Sequence, residues 1–546
     1  MTWIHPLSAG VDATASVLGG KGHGLVTLRR LGLPVPPGFV IGTAACRAFL
    51  RDGRLPDGFD GELAAAVRDL EAASRRRLGG PGRPLAVSVR SGGSVSMPGM
   101  MSTVLNVGLT TRATERLAAE TGDRRFALDA RLRFLSGFAA TVLGVPPERL
   151  DAVTRAATER DTGAGEMGLA DAIHRVEALV RERTGRPVPD DAGRQLELAV
   201  TAVFSSWNAP RATTYRVLHD IPHELGTAVT VQAMVFGNRD SRSGTGVAFS
   251  RDPNTGEDVP FGEVLFVRQG EDVVSGRSAT RPLSELADRE PAVWADLHDA
   301  LRRVEEHYRD ICQVEFTFES GQLWLLQVRP GGLAGRAAVR VAVDLADQGV
   351  ISRGEALLRV SARHLQRART PRVDTSGGIG VLTRGLGACP GVATGRVATT
   401  ADSAARMAMD GPVILVRPHT SPLDLHGLAA AAGVVTASGG PASHAAVVAR
   451  AMGKPAVVAA ARLTVDVPNA RVRAGEHTVP EGVLITIDGT SGDVVLGKPR
   501  VVTAAADRRL SRLLTWADAV SGDGSDRADT ERLGAAHSVL RGEASP

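Results

Sequence analysis

The chain has 546 residues, 43% of them hydrophobic and 23% charged, with a formal net charge of +4, so it has room for roughly three to four domains but too weak and dispersed a charge for a nucleic-acid binder. No run of about 18 apolar residues offers a membrane span, and the start, Met-Thr-Trp-Ile-His-Pro, lacks the basic and apolar regions of a signal peptide. Cys46, Cys312 and Cys389 lie too far apart for metal-type spacing or a disulfide framework, which places the chain in a reducing cytoplasm.

The first motif is Gly19-Gly20-Lys21-Gly22-His23-Gly24, followed by a helix to about Leu31. Glycine turns let backbone N–H groups close on phosphate oxygens, and a lysine adds a compact charge. The spacing is not that of a P-loop, and a plain flexible turn fits as well. Lysine is scarce here: only Lys21, Lys454 and Lys498 occur among 64 basic residues. Next, Leu85 to Arg90 reads as a strand. It leads into Ser91-Gly92-Gly93-Ser94-Val95-Ser96-Met97-Pro98-Gly99-Met100-Met101-Ser102, a loop long and polar enough for a lid. Arg90 at the strand end suits a phosphate fork.

Residues 110–220 show helical apolar spacing, with Phe126, Leu128, Leu132, Phe134 and Leu135 as core. Residues 157–167 read as a surface loop. Strands return with Ala228 to Phe236, and Ser243-Gly244-Thr245-Gly246 reads as a glycine turn able to face phosphates. Val314-Glu315-Phe316-Thr317-Phe318 and Leu323 to Arg329 alternate as a hairpin around Gly321. A three-residue loop centred on Gly321 places Glu315 opposite Gln327, with Arg329 on their face. A carboxylate, an amide oxygen and an arginine together suit a Mg²⁺–nucleotide site. An exposed polar face is the simpler alternative.

Residues 336–378 form a helical connector, and 379–499 a compact α/β unit. Within it, Val413 to Arg417 is a strand and Thr420-Ser421-Pro422-Leu423-Asp424 a helix start. Gly433 to Ala437 is a strand that runs into Gly439-Gly440-Pro441-Ala442-Ser443-His444 and a second helix. Ser443 is the expected N-cap and His444 the first helical residue. A helix start attracts phosphate, and a neutral imidazole there is a nucleophile able to carry a phosphoryl group. After 500 a polar helix holds Trp516, and a disordered-looking tail begins near Ser521.

These pieces together resemble the pyruvate, phosphate dikinase family and, more broadly, the phosphoenolpyruvate (PEP)-utilising enzymes. The motifs that carry the likeness are Gly-Gly-Lys21-Gly, Val-Arg90-Ser-Gly with Ser-Met-Pro-Gly-Met-Met, Ser-Trp207-Asn-x-Pro-Arg211, Val-Gln232-x-Met234-Val235-Phe-Gly-Asn238, Ser-Gly-Thr245-Gly246-Val-Ala-Phe, Gly-Glu271-Asp-Val-Val, His307-Tyr-Arg-Asp, Glu315-Phe-Thr and Ser-His444-Ala-Ala-Val-Val-Ala-Arg.

The resemblance implies an α/β and α+β multidomain chain. A split ATP-grasp nucleotide domain at 1–335, with a helical insertion at 110–220, precedes the connector at 336–378, a swivelling phosphohistidine domain at 379–499, and a helix with disordered tail at 500–546. It implies that ATP phosphorylates His444 with release of AMP, and that the γ-phosphate goes to inorganic phosphate. Lys21, Arg90 and Arg329 would hold phosphates, and Glu315 and Gln327 would hold Mg²⁺. Gln232 to Val235 would lie along the adenine, with Thr245, Gly246 and Glu271 completing the nucleotide site.

The family's C-terminal PEP/pyruvate-binding barrel has no counterpart in the sequence, so the acceptor is expected on a separate chain. Ser94, Ser102 and Gln313 depart from the family's charged residues. Ala442 stands where many members carry a regulatory threonine. An antibiotic or small-molecule phosphotransferase and a non-catalytic nucleotide-binding subunit are the alternatives.

Overall fold

The computed structural model describes residues 2–95, 97, 100–158, 165–270, 272, 280–331, 333, 335–368, 371–374, 380–441, 443–475, 477–503 and 508–542. The chain forms two compact units: residues 1–239 with 324–328, and residues 240–323 with 329–546. Among the described residues no helix is long and apolar enough to cross a membrane.

The first unit is built on an antiparallel sheet of five strands. Their order is Ile4–Pro6, Gly38–Ile41, Ala228–Ala233, Val87–Gly92 and Thr103–Val107. Its β-branched residues Val87, Val89, Val229 and Val231 pack on helical Phe134, Phe138, Val176, Val200 and Phe204. Helices dominate 110–220, as the apolar spacing predicts, and the starts of two are capped locally. Asp123 accepts from the Phe126 N–H, and Asp191 from the Arg194 N–H. Of the five expected core residues only Leu128 is partly exposed. Residues 159–164 of the expected surface loop lie outside the described residues.

The glycine motif near residue 20 is mainly helical. One helix, Ala15–Arg30, contains it, with a single non-helical residue, Gly19, at φ 67°. A Cβ at Gly19 would stand 1.7 Å from Gly92 O, so only glycine allows this helix to approach the strand end.

In the second unit, Phe261–Phe266, Gly244–Phe249 and Cys312–Glu319 are successive antiparallel strands. The stretch expected as a phosphate-facing turn, 243–246, is therefore largely strand. Gly244 and Gly246 pair with Phe318 and Phe316, and a Cβ at either would strike the facing ring at 2.4 and 2.6 Å. The glycines make room for aromatic packing. After Glu319 a two-residue turn, Ser320–Gly321, leads to Gln322–Pro330, with φ of 50° and 78°. A two-residue hairpin with both φ positive is a favoured geometry, and it replaces the expected three-residue loop; a turn of even length breaks the expected alignment of Glu315 opposite Gln327.

The connector and the C-terminal end form one helical body. Gly335–Asp347, Arg353–Arg359, Ala362–Ala368, Arg508–Ser521 and Asp529–Arg541 share a core of Val339, Val343, Leu357, Leu365, Leu510, Leu514, Trp516, Leu533 and Ala536. The tail expected to be disordered after Ser521 thus contains a 13-residue helix. Its sparse apolar residues suffice because other helices cover them, and Arg532 pairs with Asp518 at 2.5 Å. This body is also tied to residues 240–310. Arg309 donates to Val350 O at 2.8 Å and pairs with Glu355 at 3.0 Å, Arg340 pairs with Glu257 at 3.1 Å, and Arg251 donates to Gln348 at 3.1 Å.

Residues 381–496 carry an eight-stranded sheet. Val392–Ala398, Val413–Arg417, Gly433–Thr436 and Ala456–Val458 run parallel at its centre, flanked by antiparallel strands. The parallel strands read as continuous apolar runs because both faces are buried. A two-stranded ribbon, Pro371–Val373 with Val501–Thr503, joins this sheet to the helical body. The Val373 N–H donates to buried Asp488 at 2.9 Å.

The last helix is a structural part of the chain, so Leu533→Ala should cost about 2–5 kcal/mol. Urea unfolding followed by circular dichroism would show it as a lower midpoint; an unchanged midpoint would return the segment to a dispensable tail.

Candidate functional site

Lys21 and Arg90 meet at the end of the strand Val87–Gly92. The kink at Gly19 turns Lys21 so that its Nζ donates to Ser91 O at 2.8 Å. Arg90, on the same strand, donates to Leu326 O at 3.0 Å and to Gln327 Oε1 at 3.5 Å. Arg90 and the Gln327 amide oxygen thus lie together, and Lys21 is anchored to the neighbouring residue of the same strand.

Gln232 is only 1% exposed, and its Nε2 donates to Pro36 O at 3.1 Å. Met234 and Val235 remain half-buried, with the Met234 N–H bound to Ala86 O at 2.9 Å. The loop after Arg90 is pinned. Met97 and Met100 are buried, and Arg211 Nε donates to Met100 O at 3.0 Å. Ser94 is half-buried, and the Ser102 N–H donates to Ser206 Oγ at 3.2 Å.

The second unit holds the other candidates. Glu315 and Arg329 form an ion pair at 3.4 Å. Thr245 is 2% exposed, and its hydroxyl is spent inside the sheet on Phe316 O and Thr317 Oγ1, both at 3.0 Å. At Gly246 a Cβ would meet the Glu263 backbone oxygen at 2.3 Å as well as the Phe316 ring. Glu271 and Ala442 lie outside the described residues.

His444 has the most developed surroundings. The strand Gly433–Thr436 leads to Gly439, at φ 86°, then Gly440, and the helix His444–Met452 begins with Ser443 as N-cap. A Cβ at Gly440 would lie 1.7 Å from Glu263 Oε2. This loop therefore sits against the strand Phe261–Phe266, and any side chain at that point would have to displace the Glu263 carboxylate. Arg450, one turn and a half along the helix, holds the loop from behind. It donates to Ala388 O at 3.0 Å and to Pro441 O, and its guanidinium lies 5.6 Å from the Phe249 ring centroid. Burial pulls its pKa down to about 10.

The imidazole is asymmetric. Nδ1 lies 3.1 Å from Thr420 Oγ1. Nε2 is buried and has no hydrogen-bond partner among the described residues. Burial lowers the His444 pKa below its ordinary 6.5, and the nearby Asp424 carboxylate opposes this in part. Asp424 is itself held by the Ser421 N–H at 2.8 Å and by Arg417 at 3.3 Å. The ring is thus neutral at pH 7, with one nitrogen committed and the other available. Thr420, Asp424 and Glu263 are the parts that sequence reasoning left without a role at the histidine. Thr420 and Asp424 carried a signal, the helix-start pattern after a strand, but nothing local tied it to a histidine 24 residues later.

Comparison with known proteins matches residues 15–77 and 54–282 to the pyruvate phosphate dikinase, AMP/ATP-binding domain, and residues 409–492 to the PEP-utilising enzyme, mobile domain. The chain is 41% identical over 541 residues to pyruvate, phosphate dikinase of Rhizobium meliloti, covering 95% of this chain and 60% of the relative. It is 41% identical over 522 residues to pyruvate, phosphate dikinase 2 of Zea mays, covering 94% and 59%. It is 40% identical over 522 residues to the chloroplastic pyruvate, phosphate dikinase 1 of Arabidopsis thaliana, covering 94% and 54%. The chain therefore spans well under two thirds of the length of these curated relatives. Aligned along nearly all of its own length, with both domain types in the same order, it belongs to the pyruvate, phosphate dikinase family.

Proposed function

We propose that this chain transfers the β-phosphoryl group of ATP to His444 Nε2 with release of AMP, as the first half of a dikinase reaction. The observation that supports it best is the imidazole itself: neutral at pH 7, Nδ1 engaged by Thr420, Nε2 unpartnered, at the first position of a helix. The Nε2 lone pair forms the new N–P bond at the β-phosphorus. The bond from that phosphorus to the α,β-bridging oxygen breaks, and AMP leaves with the electron pair. The terminal phosphoryl group passes to inorganic phosphate as pyrophosphate.

Lys21, Arg90 and Arg329 are cations suited to the phosphate oxygens, since such transfers are driven mainly by positioning and charge neutralisation. The backbone at Met234–Val235 is our choice for the adenine edge. Mg²⁺ fits the donors in kind. Glu315 offers a carboxylate, Gln327 an amide oxygen, and no cluster of three or more His, Cys, Asp or Glu is present among the described residues. A metal held by few protein ligands and completed by phosphate and water is the usual magnesium arrangement. Bound there, it would neutralise phosphate charge.

The relatives' names point to pyruvate as the acceptor and to inorganic phosphate as co-substrate. We place the acceptor site on a separate chain or domain, reached by movement of the His444 unit. The three cysteines are buried, and burial pushes the Cys46 thiol up to about 11, so it is unreactive. This suits a reducing compartment such as the cytoplasm.

Incubation with ATP labelled separately at the β and γ positions, with Mg²⁺ and inorganic phosphate, tests the reading. Acid-labile, base-stable label should come from the β position and vanish in His444→Ala. Bound ATP with no label from either position would overturn it. Thr420→Val, which removes the ring's orienting partner, should slow labelling about 10–100-fold. The lowered His444 pKa also sets a pH dependence. Burying the neutral ring costs nothing above pH 6.5, the ordinary value, and is opposed by protonation below it. The acid-side midpoint of the labelling rate should therefore lie below pH 6.5; a midpoint at or above pH 6.5 would contradict a ring whose burial favours the neutral form.

A further inference from the structure

The hydroxyl of Ser443 is buried without a use. The residue is 5% exposed, and its Oγ has no hydrogen-bond partner among the described residues. Its backbone is extended, at φ −62° and ψ 160°, as an N-cap should be, yet its side chain makes no cap hydrogen bond. Serine is favoured at this position because its oxygen accepts from an amide one turn on. Here that benefit is forgone, and a buried unpaired hydroxyl carries a penalty instead. The neighbouring polar atom in the same condition is His444 Nε2. Two adjacent residues thus present unsatisfied buried polar atoms at the start of a nine-residue helix, whose first amides have no carbonyl one turn back.

A single tetrahedral anion on His444 resolves these deficits together. Bonded to Nε2, a phosphoryl group brings three acceptor oxygens to a place that offers a hydroxyl donor, amide donors and the positive end of a helix dipole. We propose that Ser443 is a positioning residue whose Oγ–H donates to the phosphoryl group carried by His444, with the first-turn amides as the other donors. This rests on His444 being the carrier. Ser443 takes no part in the bond changes. It holds the phosphoryl oxygens while the N–P bond forms and shields the product from water afterwards. The orphaned hydroxyl is the state before phosphorylation, and the missing cap bond leaves the donor available.

An ordinary N-cap and a phosphoryl holder differ in what Ser443→Ala does. The test uses the full chain as wild type, Ser443→Ala and Ser443→Thr. Three quantities are read: thermal midpoint, rate of β-label incorporation across ATP concentrations, and half-life of the isolated phosphoenzyme. Ser443→Ala should keep or raise the midpoint, because it removes an unpaired buried hydroxyl. It should lower the maximal labelling rate about 10–100-fold with little change in the half-saturating ATP concentration, as expected for one lost hydrogen bond to a charged group. It should also shorten the phosphoenzyme half-life. Ser443→Thr, which keeps the hydroxyl, should recover much of the rate. A lower midpoint with unchanged labelling would identify a plain cap and overturn the proposal. So would labelling and half-life equal to wild type. If wild type itself takes no label, the carrier reading fails and this proposal falls with it; if wild type labels and Ser443→Ala matches it, only the role of Ser443 falls.

Discussion

A backbone stretch without a side chain decides where the carrier can be. At Gly440 the space that a Cβ needs is occupied by the Glu263 carboxylate, 1.7 Å from the ideal position. As glycine the loop closes against the strand Phe261–Phe266 without displacing that carboxylate. From that closure follows the rest of the arrangement. Ser443 becomes the N-cap, His444 the first helical residue, and Arg450 the brace that returns to Pro441. The imidazole then falls within 3.1 Å of Thr420, on a different connection of the same sheet. A parallel sheet places such loops together at the carboxyl ends of its strands, which is where ligands and chemistry collect. Burial keeps the ring neutral, and Thr420 occupies one nitrogen, so reactivity is directed to the other.

The helical body gives this account its mechanical frame. Helices from before and after the sheet of residues 381–496 pack into one core, so that sheet is an insertion between two halves of a single helical module. The module is bound to residues 240–310 by contacts such as buried Arg251 donating to Gln348, at 3.1 Å. The covalent passage from the module to the inserted sheet is narrow, the ribbon of 371–373 with 501–503, fastened at Asp488, while the sheet's own loops rest on residues 240–310 at Glu263, Phe249 and Asn254. A carrier that must visit two sites needs a narrow attachment on a firm base. In these terms the helices of 336–368 belong to the base.

Much of the site was legible from local pattern, and the limits were physical. Strand, glycine turn, N-cap and His444 could be read in order because each depends on its immediate neighbours. Lys21 and Arg90 were identified by type, and their meeting at the strand end adds geometry to that. The glycines at 244 and 246 were misread because their purpose lies across the sheet, in the rings of Phe318 and Phe316. The Glu315–Gln327 register was tied to a loop one residue too long, since Ser320 adopts the positive φ that glycine alone seemed to offer. The final helix was missed because Leu533 and Ala536 are too sparse to announce a core, and burial against distant helices supplies what the local sequence lacks. Thr420 was not linked to His444 because only tertiary structure brings the two together.

The central claim is that Nε2 of His444 is the atom that receives phosphate. Phosphorus-31 NMR of the chain after incubation with ATP, Mg²⁺ and inorganic phosphate, denatured in base to preserve phosphohistidine, reads that atom directly. The account predicts one phosphohistidine resonance with the shift of an Nε2 adduct, absent in His444→Ala. A resonance of the Nδ1 adduct, or phosphate on a residue other than His444, would contradict it.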